Sequence, residues 1–99
     1  MLRDVFRGFI KLHILYHAGR EPVYGLWLIQ ELKRHGYNLS PGTLYPTLHS
    51  LTKEGYLTME QRVVRGKVRK YYTLTEAGRA ALEEARRKIA ELVEEIMGT

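Results

Sequence analysis

The spacing of the apolar residues changes twice along this chain of 99 residues, and this pattern constrains the fold more than any other feature. Up to residue 55, apolar side chains recur every three or four positions, which is the period of an amphipathic helix. Residues 56–74 alternate loosely and are rich in β-branched and aromatic residues, which favours strands. From residue 75 the helical period returns. The sequence therefore predicts one mainly α-helical domain with a small β-hairpin before its last helix.

Two amphipathic helices are predicted in the first 36 residues. The first begins at Leu2 and ends where Gly19 and Pro22 interrupt its pattern. The second spans residues 24–35, and Gly36 provides its C-terminal stop after a basic last turn. Each helix presents one apolar face, so both can contribute to a single core.

A third helix follows the turn-forming residues 38–42. Pro46 is compatible with this helix if the helix begins near Thr43. The proline then lies in the first turn, where an amide has no intrahelical partner to lose. The face of this helix that we expect to be buried consists of Leu44, Leu48 and Leu51.

The predicted hairpin carries an unusual concentration of positive charge. Its strands cover residues 56–63 and 68–74, with Arg65-Gly66 at the turn. Basic side chains at such a tip can lie along DNA phosphates or enter a narrow minor groove. Charged residues can also protect an edge strand from pairing, but we favour the DNA interpretation because a helix suited to a groove precedes the hairpin. Positions 61–70 contain no acidic residue, and their basic residues are Arg62, Arg65, Lys67, Arg69 and Lys70.

The last 25 residues differ from the rest of the chain in charge and pattern. Residues 1–74 hold twelve basic and five acidic side chains, a net charge of +7. Residues 75–99 hold four basic and six acidic side chains, a net charge of −2. Thr75 can cap a long helix here, and its apolar residues recur with the spacing of a coiled-coil seam. We expect this seam to form a homodimer interface, and packing on the chain's own domain is the alternative. The seam residues are Leu82, Ala85, Ile89, Leu92 and Ile96.

Two segments resemble the signature stretches of the PadR-like transcriptional regulators. Residues 40–46 read Ser-Pro-Gly-Thr-Leu-Tyr-Pro, and residues 66–75 read Gly-Lys-Val-Arg-Lys-Tyr-Tyr-Thr-Leu-Thr, at a matching distance from each other. The chain departs from the family at residues 24–27, Tyr-Gly-Leu-Trp, where a His-Gly-Tyr run is more usual, and at Val68, where proline is common. The resemblance implies a winged helix-turn-helix over residues 1–74 and a dimerisation helix over residues 75–99, in one compact unit that acts as a repressor.

The third helix and the hairpin supply the candidate DNA-binding residues. The resemblance places the family's DNA-contacting serine, threonine and tyrosine at Ser40, Thr43 and Tyr45, and turn capping is an equal alternative for Ser40. Thr47 lies nearer the core, and we favour a structural role for it. The exposed face of the helix holds no Arg, Asn or Gln, so direct reading of bases should be sparse. The full candidate set is Ser40, Gly42, Thr43, Tyr45, Pro46, His49, Ser50, Lys53, Arg65, Lys67 and Arg69.

Nothing in the sequence indicates an enzyme or a cofactor. The chain has no cysteine and no glycine-rich phosphate loop, and its four histidines have no Cys or acidic partners at ligand spacing. His13 and His17 are four residues apart and could share a metal, but a pair packed between helices is the interpretation that we favour. No metal site is therefore predicted.

The predicted partners are double-stranded DNA, as a palindromic operator, and a second copy of the chain. The alternative is a winged-helix dimer that binds another protein through the same surface. The family's multidrug-sensing members suggest a small aromatic effector in a cavity lined by Phe9, Tyr16, Tyr24 and Trp27, although we favour a core position for Trp27. The N-terminus has neither a signal peptide nor a membrane span, so a cytoplasmic location is expected.

Overall fold

The computed structural model describes residues 1–98 and contains four helices and a three-stranded antiparallel sheet. The helices are α1 (Leu2–Arg20), α2 (Gly25–Arg34), α3 (Pro41–Lys53) and α4 (Glu76–Met97). The strands are β1 (Val23–Tyr24), β2 (Leu57–Val64) and β3 (Lys67–Leu74), in the order β1-β3-β2. The predicted class, mainly α with a small β-hairpin, is confirmed. Strand β1 was not predicted, because two residues are too short to show a period.

One apolar core joins the helices to the sheet. The leucine face predicted for α3 is buried, and it packs against α2 and β2. Burying a leucine or isoleucine side chain stabilises the fold by about 1.5–3 kcal/mol relative to leaving it exposed. The largest side chains with under 2% exposure are Ile14, Leu28, Leu32, Leu44, Leu48 and Leu57.

Glycines end α2 and α3, and the stop predicted at Gly36 is confirmed. Gly36 and Gly55 have φ values of +91° and +88°, in the left-handed region that side chains with a Cβ rarely adopt. The amides of each glycine and of the residue after it bond back to carbonyls of the last helical turn. This arrangement satisfies carbonyl groups that would otherwise have no partner at the helix end, and it turns the chain sharply.

The start of α3 differs from the prediction. The helix begins at Pro41 with Ser40 as its N-cap residue, two positions earlier than expected, so Pro46 is the sixth helical residue and lies in the second turn. Proline is favoured at the first helical position, which explains the earlier start. Pro46 has no N–H to donate to the carbonyl of Gly42, and both residues are exposed, which leaves this carbonyl open to solvent.

The hairpin is confirmed to within one residue at each strand end. Val64 pairs with Lys67, so the loop has two residues. Arg65 and Gly66 both have positive φ, +53° and +77°. Two such residues form the type of turn whose twist matches that of the flanking strands. Positive φ is strained for an arginine. The pairing of Val64 with Lys67 on either side of the loop holds Arg65 in this conformation.

The N-terminus of α4 is fixed to the turn that follows α3. Thr75 is the N-cap residue, as predicted, and its Oγ1 accepts from the Gly78 amide at 3.0 Å and donates to the Gly55 carbonyl at 2.6 Å. The Thr75 amide donates to the Tyr56 carbonyl at 3.1 Å. This connection positions the first turn of α4 against the body of the domain.

A methyl group at Gly78 should destabilise this connection. A Cβ there would lie 2.2 Å from the carbonyl oxygen of Tyr56 and 2.5 Å from Cδ1 of Leu74, so the backbone would have to shift. We expect Gly78→Ala to lower the free energy of unfolding by about 1–3 kcal/mol, measured by urea denaturation. The control is Gly8→Ala in α1, where nothing lies within 4 Å and alanine should stabilise by about 0.5–1 kcal/mol. Equal effects of the two substitutions would contradict the packing described here.

The predicted dimer seam divides into two parts along α4. Leu82 and Ala85 are half-buried, and Leu82 packs against the core of its own domain. Further along, Ile89, Leu92 and Ile96 are 40%, 48% and 68% exposed.

Within residues 1–98, no helix combines the length and apolar character needed to cross a membrane.

Candidate nucleic-acid interface

Helix α3 presents a polar and aromatic face on the side opposite its buried leucines. The predicted residues Thr43, Tyr45, Pro46, His49 and Lys53 are all exposed. Ser50 is only half-buried, and its hydroxyl donates to Oε1 of Glu54 at 3.0 Å. Most of the residues that the sequence assigned to a groove-facing surface are therefore accessible on one helix.

Hydroxyl groups at the start of α3 bond to one another and to the helix backbone. Ser40 is the exposed N-cap residue, but its Oγ contacts Oγ1 of Thr43 at 3.4 Å and makes no capping bond to an amide. Thr47 donates to the carbonyl of Thr43 at 2.9 Å, which agrees with the structural role predicted for it. The Ser40 and Thr43 hydroxyls lie side by side at the exposed helix start, where both can reach a ligand.

Tyr45 lies between α3 and the basic hairpin, which we call the wing (residues 57–74). Its ring forms part of a cleft of about 360 Å³ between α2, α3 and the wing, and of a second cleft of about 440 Å³ on the wing's inner face. The first cleft is lined by Tyr24, Gly25, Leu26, Tyr45, Val68, Arg69 and Lys70. The second is lined by Tyr45, Pro46, His49, Thr52, Met59, Lys70 and Tyr72.

Lys70 belongs to this surface, although it was not in the predicted set. It lines both clefts and so lies beside Tyr45 and His49 of α3. Strand alternation could have indicated this position, because Lys70 shares a face of β3 with Tyr72, which is buried. Lys70 therefore lies on the inner side of the wing, in the lining of the two clefts that Tyr45 also forms.

Gly25 provides the space that Tyr45 occupies. A Cβ on Gly25 would lie 2.4 Å from the Tyr45 hydroxyl oxygen and 2.6 Å from Cζ of its ring. Only glycine permits this approach between the start of α2 and the side chain from α3. The glycine is thus part of the site, although its role is invisible without the tertiary contact.

Two arginines of the wing stack on tyrosines. The Arg69 guanidinium lies 4.3 Å from the centre of the Tyr24 ring, and that of Arg62 lies 4.5 Å from the Tyr71 ring. A hydrogen bond with Tyr71 raises the pKa of Arg69, which is half-buried. Arg62 also forms an ion pair with Glu60, which reduces its free charge. Arg69 is therefore held in place on the wing rather than extended into solvent.

The tip of the wing carries the accessible charge. Arg65 and Lys67 are both exposed, as predicted. Residues 37–53 and 61–70 contain no acidic residue, so no carboxylate within α3 or the tip opposes an approaching phosphate. The combined surface suits a polyanion.

The four aromatic residues proposed for an effector cavity do not come together. Phe9 and Tyr16 line an open groove of about 630 Å³ between α1, α2 and α4. Trp27 packs against the core and meets the His17 ring edge to face at 5.2 Å. Tyr24 lies at the base of the wing, in contact with Tyr71. The favoured core position of Trp27 is confirmed.

Helices α2 and α3, joined by a short turn and followed by a hairpin beside α3, define a transcriptional regulator of the winged helix-turn-helix class. A family model described as the transcriptional regulator PadR-like family matches residues 14–84. The chain belongs to this family, as its two signature segments indicated.

Related proteins support this assignment over nearly the whole chain. The transcriptional regulator Rv3488 of Mycobacterium tuberculosis is 56% identical over 97 residues, covering 98% of this chain and 91% of that protein. A PadR family regulator from Eggerthella lenta has a similar structure, with a TM-score of 0.85 at 32% identity, covering 99% of this chain and 87% of the other. A PadR-like regulator from Bacillus cereus has a TM-score of 0.81 at 32% identity, covering 99% of this chain and 93% of the other.

Proposed function

We propose that this protein binds double-stranded DNA sequence-specifically as a homodimer and regulates transcription from a palindromic operator. In this function α3 enters the major groove and the wing lies along the adjacent backbone. One observation carries the proposal: the exposed face of α3 and the inner side of a basic wing line the same two clefts, and neither α3 nor the wing tip (residues 61–70) contains an acidic residue.

The side chains divide into two kinds of contact. Thr43, Pro46 and His49 face outward from α3 and are suited to base edges, including the thymine methyl group. Tyr45 and Lys53 are suited to phosphates, as are the wing residues Arg65 and Lys67. Because few side chains can make bidentate contacts to bases, much of the sequence preference comes from DNA shape.

The apolar surface that the single chain leaves exposed supports the proposed homodimer. The distal half of α4 exposes the predicted seam residues Ile89, Leu92 and Ile96. The first turns of α1 expose Val5, Phe6 and Phe9, at 38–45%. Contiguous apolar faces on two helices support an interface between copies of the chain. A two-fold dimer would present two copies of α3 to successive major grooves.

Repression is the direction of regulation that the family resemblance supports. We include no aromatic effector in this function, because Tyr24 and Trp27 lie apart from Phe9 and Tyr16. An operator-binding role agrees with the cytoplasmic location expected from the sequence.

Selection from a pool of random duplex DNA tests the proposal. The purified protein is incubated with the pool across a salt series, and the bound duplexes are sequenced. We expect a palindromic site with half-sites about one helical turn, or 10 base pairs, apart and an affinity that falls steeply with salt. Negligible or salt-insensitive binding would instead support the alternative, a dimer that binds protein through this surface.

A further inference from the structure

Three histidines lie together on the side of the domain away from the wing. His13 and His17 are one turn apart on α1, and His35 comes from the end of α2. One nitrogen from each ring can be chosen so that all three lie within 4.8 Å of one another. The sequence shows only the pair on α1, because the packing of α2 on α1 brings in the third imidazole. We call these three residues the histidine cluster.

A carboxylate stands beside the cluster. Oε2 of Glu31 lies 3.4 Å from Nε2 of His17 and 3.1 Å from Nε2 of His35. Glu31 and His35 are four residues apart at the end of α2, the same spacing as His13 and His17 on α1. The expectation that the histidines have no acidic partner at ligand spacing is therefore wrong for His35. The Glu31 side chain is 12% exposed, and Arg34 donates to both of its oxygens at 3.1 Å.

We propose that His13, His17 and His35, with the carboxylate of Glu31, form a binding site for a divalent transition-metal ion that joins α1 to α2. Imidazole nitrogens suit Zn²⁺, Ni²⁺, Co²⁺ and Cu²⁺, whereas Mg²⁺ and Ca²⁺ prefer oxygen ligands. Structural zinc sites are almost always four-coordinate, and three imidazoles with one carboxylate supply four ligands. The predicted ion is therefore Zn²⁺ or a neighbour of similar size.

The geometry requires only small movements. Three atoms that lie at most 4.8 Å apart leave a point within about 2.8 Å of all three, compared with a Zn–N distance of about 2.0–2.1 Å. Ring rotations that move each nitrogen by less than about 1 Å close this difference. Glu31 Oε2 already lies near two of the imidazole nitrogens, so an ion can replace the protons that these groups share.

The electrostatic environment favours the metal-binding forms of these side chains. Burial, together with the other two histidines, lowers the pKa of His13, and burial also lowers the pKa of His17 despite the nearby Glu31. Hydrogen bonding from Arg34 lowers the pKa of Glu31 to about 2. Neutral imidazoles and an ionised carboxylate are the states in which these groups bind metals. Arg34, which donates to both oxygens of this carboxylate, has a side chain that is 71% exposed.

Calorimetry with Zn²⁺ alone tests the site on the full chain, without an affinity tag and after treatment with a chelator. We expect one ion per chain, and a rise in Tm of about 10 °C or more when free Zn²⁺ exceeds Kd a hundredfold. Co²⁺ should give the strong visible absorption of a four-coordinate site rather than the weak bands of the hydrated ion. Millimolar Mg²⁺ should not displace either ion.

Matched variants assign the ligands. His13→Asn and His35→Asn should each weaken Zn²⁺ binding by about a hundredfold or more, and Glu31→Gln by about 10–100-fold. His49→Ala also removes one histidine, but His49 is exposed on α3, so its zinc affinity should equal that of the unsubstituted chain. Circular dichroism of each metal-free variant confirms that it has folded.

The proposal fails if the folded chain takes up no zinc, or if His13→Asn and His49→Ala bind it equally well. An unchanged affinity in Glu31→Gln would overturn the assignment of the carboxylate. All these measurements are made without DNA, so their outcome is independent of the proposed operator binding.

Discussion

A glutamate in place of Leu92 is expected to convert the proposed homodimer to a monomer and to lower operator affinity by about a thousandfold. Leu92 is 48% exposed in the single chain, so the substitution leaves the core of the domain unchanged. In the dimer the carboxylate would be desolvated against apolar side chains with no partner charge, which is strongly unfavourable. A monomer reads only one half-site, and specific sites are bound about 10³–10⁷-fold more tightly than other DNA.

Sedimentation and titration with a selected operator duplex measure the two parts of this prediction. The control is Ala90→Glu, which adds the same charge two residues earlier on α4, at an exposed position outside the seam. This variant should remain dimeric and bind the operator normally. If Leu92→Glu is still dimeric at micromolar concentration, the interface lies elsewhere on the molecule.

Removal of both charges at the wing tip is expected to weaken binding to all DNA sequences alike. Arg65→Ala with Lys67→Ala deletes two phosphate contacts per chain and four per dimer. The slope of log K against log salt should become less steep by about 3.6, because each contact contributes about 0.9. At 0.1 M salt the affinity should fall by about a hundredfold to a thousandfold, with little change in the preferred sequence.

A double variant on α4 shows whether DNA binding depends on contacts of the wing tip or on the net charge of the protein. Arg86→Ala with Lys88→Ala removes the same two charges from an exposed part of the helix, where Arg86 lies 3.7 Å from Glu83. Its salt dependence should stay close to that of the unsubstituted protein. Equal losses in the two double variants would show that overall charge, and not the wing, controls binding.

The elements of this fold were predictable because each has its own local signal. The leucine face of α3, the two-residue turn at Arg65-Gly66 and the cap at Thr75 depend on residues near one another in the chain. The start of α3 was predicted two residues late, because a start near Thr43 would place Pro46 in the first turn, whereas the helix begins at Pro41, a favourable first position. Strand β1 was missed because its pairing with β3 joins residues nearly fifty positions apart.

The sequence by itself determined the order of the helices and the hairpin, the buried leucines, the basic wing and the family. These features follow from local periodicity, turn chemistry and charge, which act between neighbouring residues. Only the tertiary structure decided which distant side chains meet. The contact of Tyr45 with Gly25, the position of Lys70 beside α3, the stacking of Arg69 on Tyr24 and the approach of His35 to His13 and His17 all require helices and strands packed at particular distances. Burial of a shared apolar core sets those distances, and no local pattern records them.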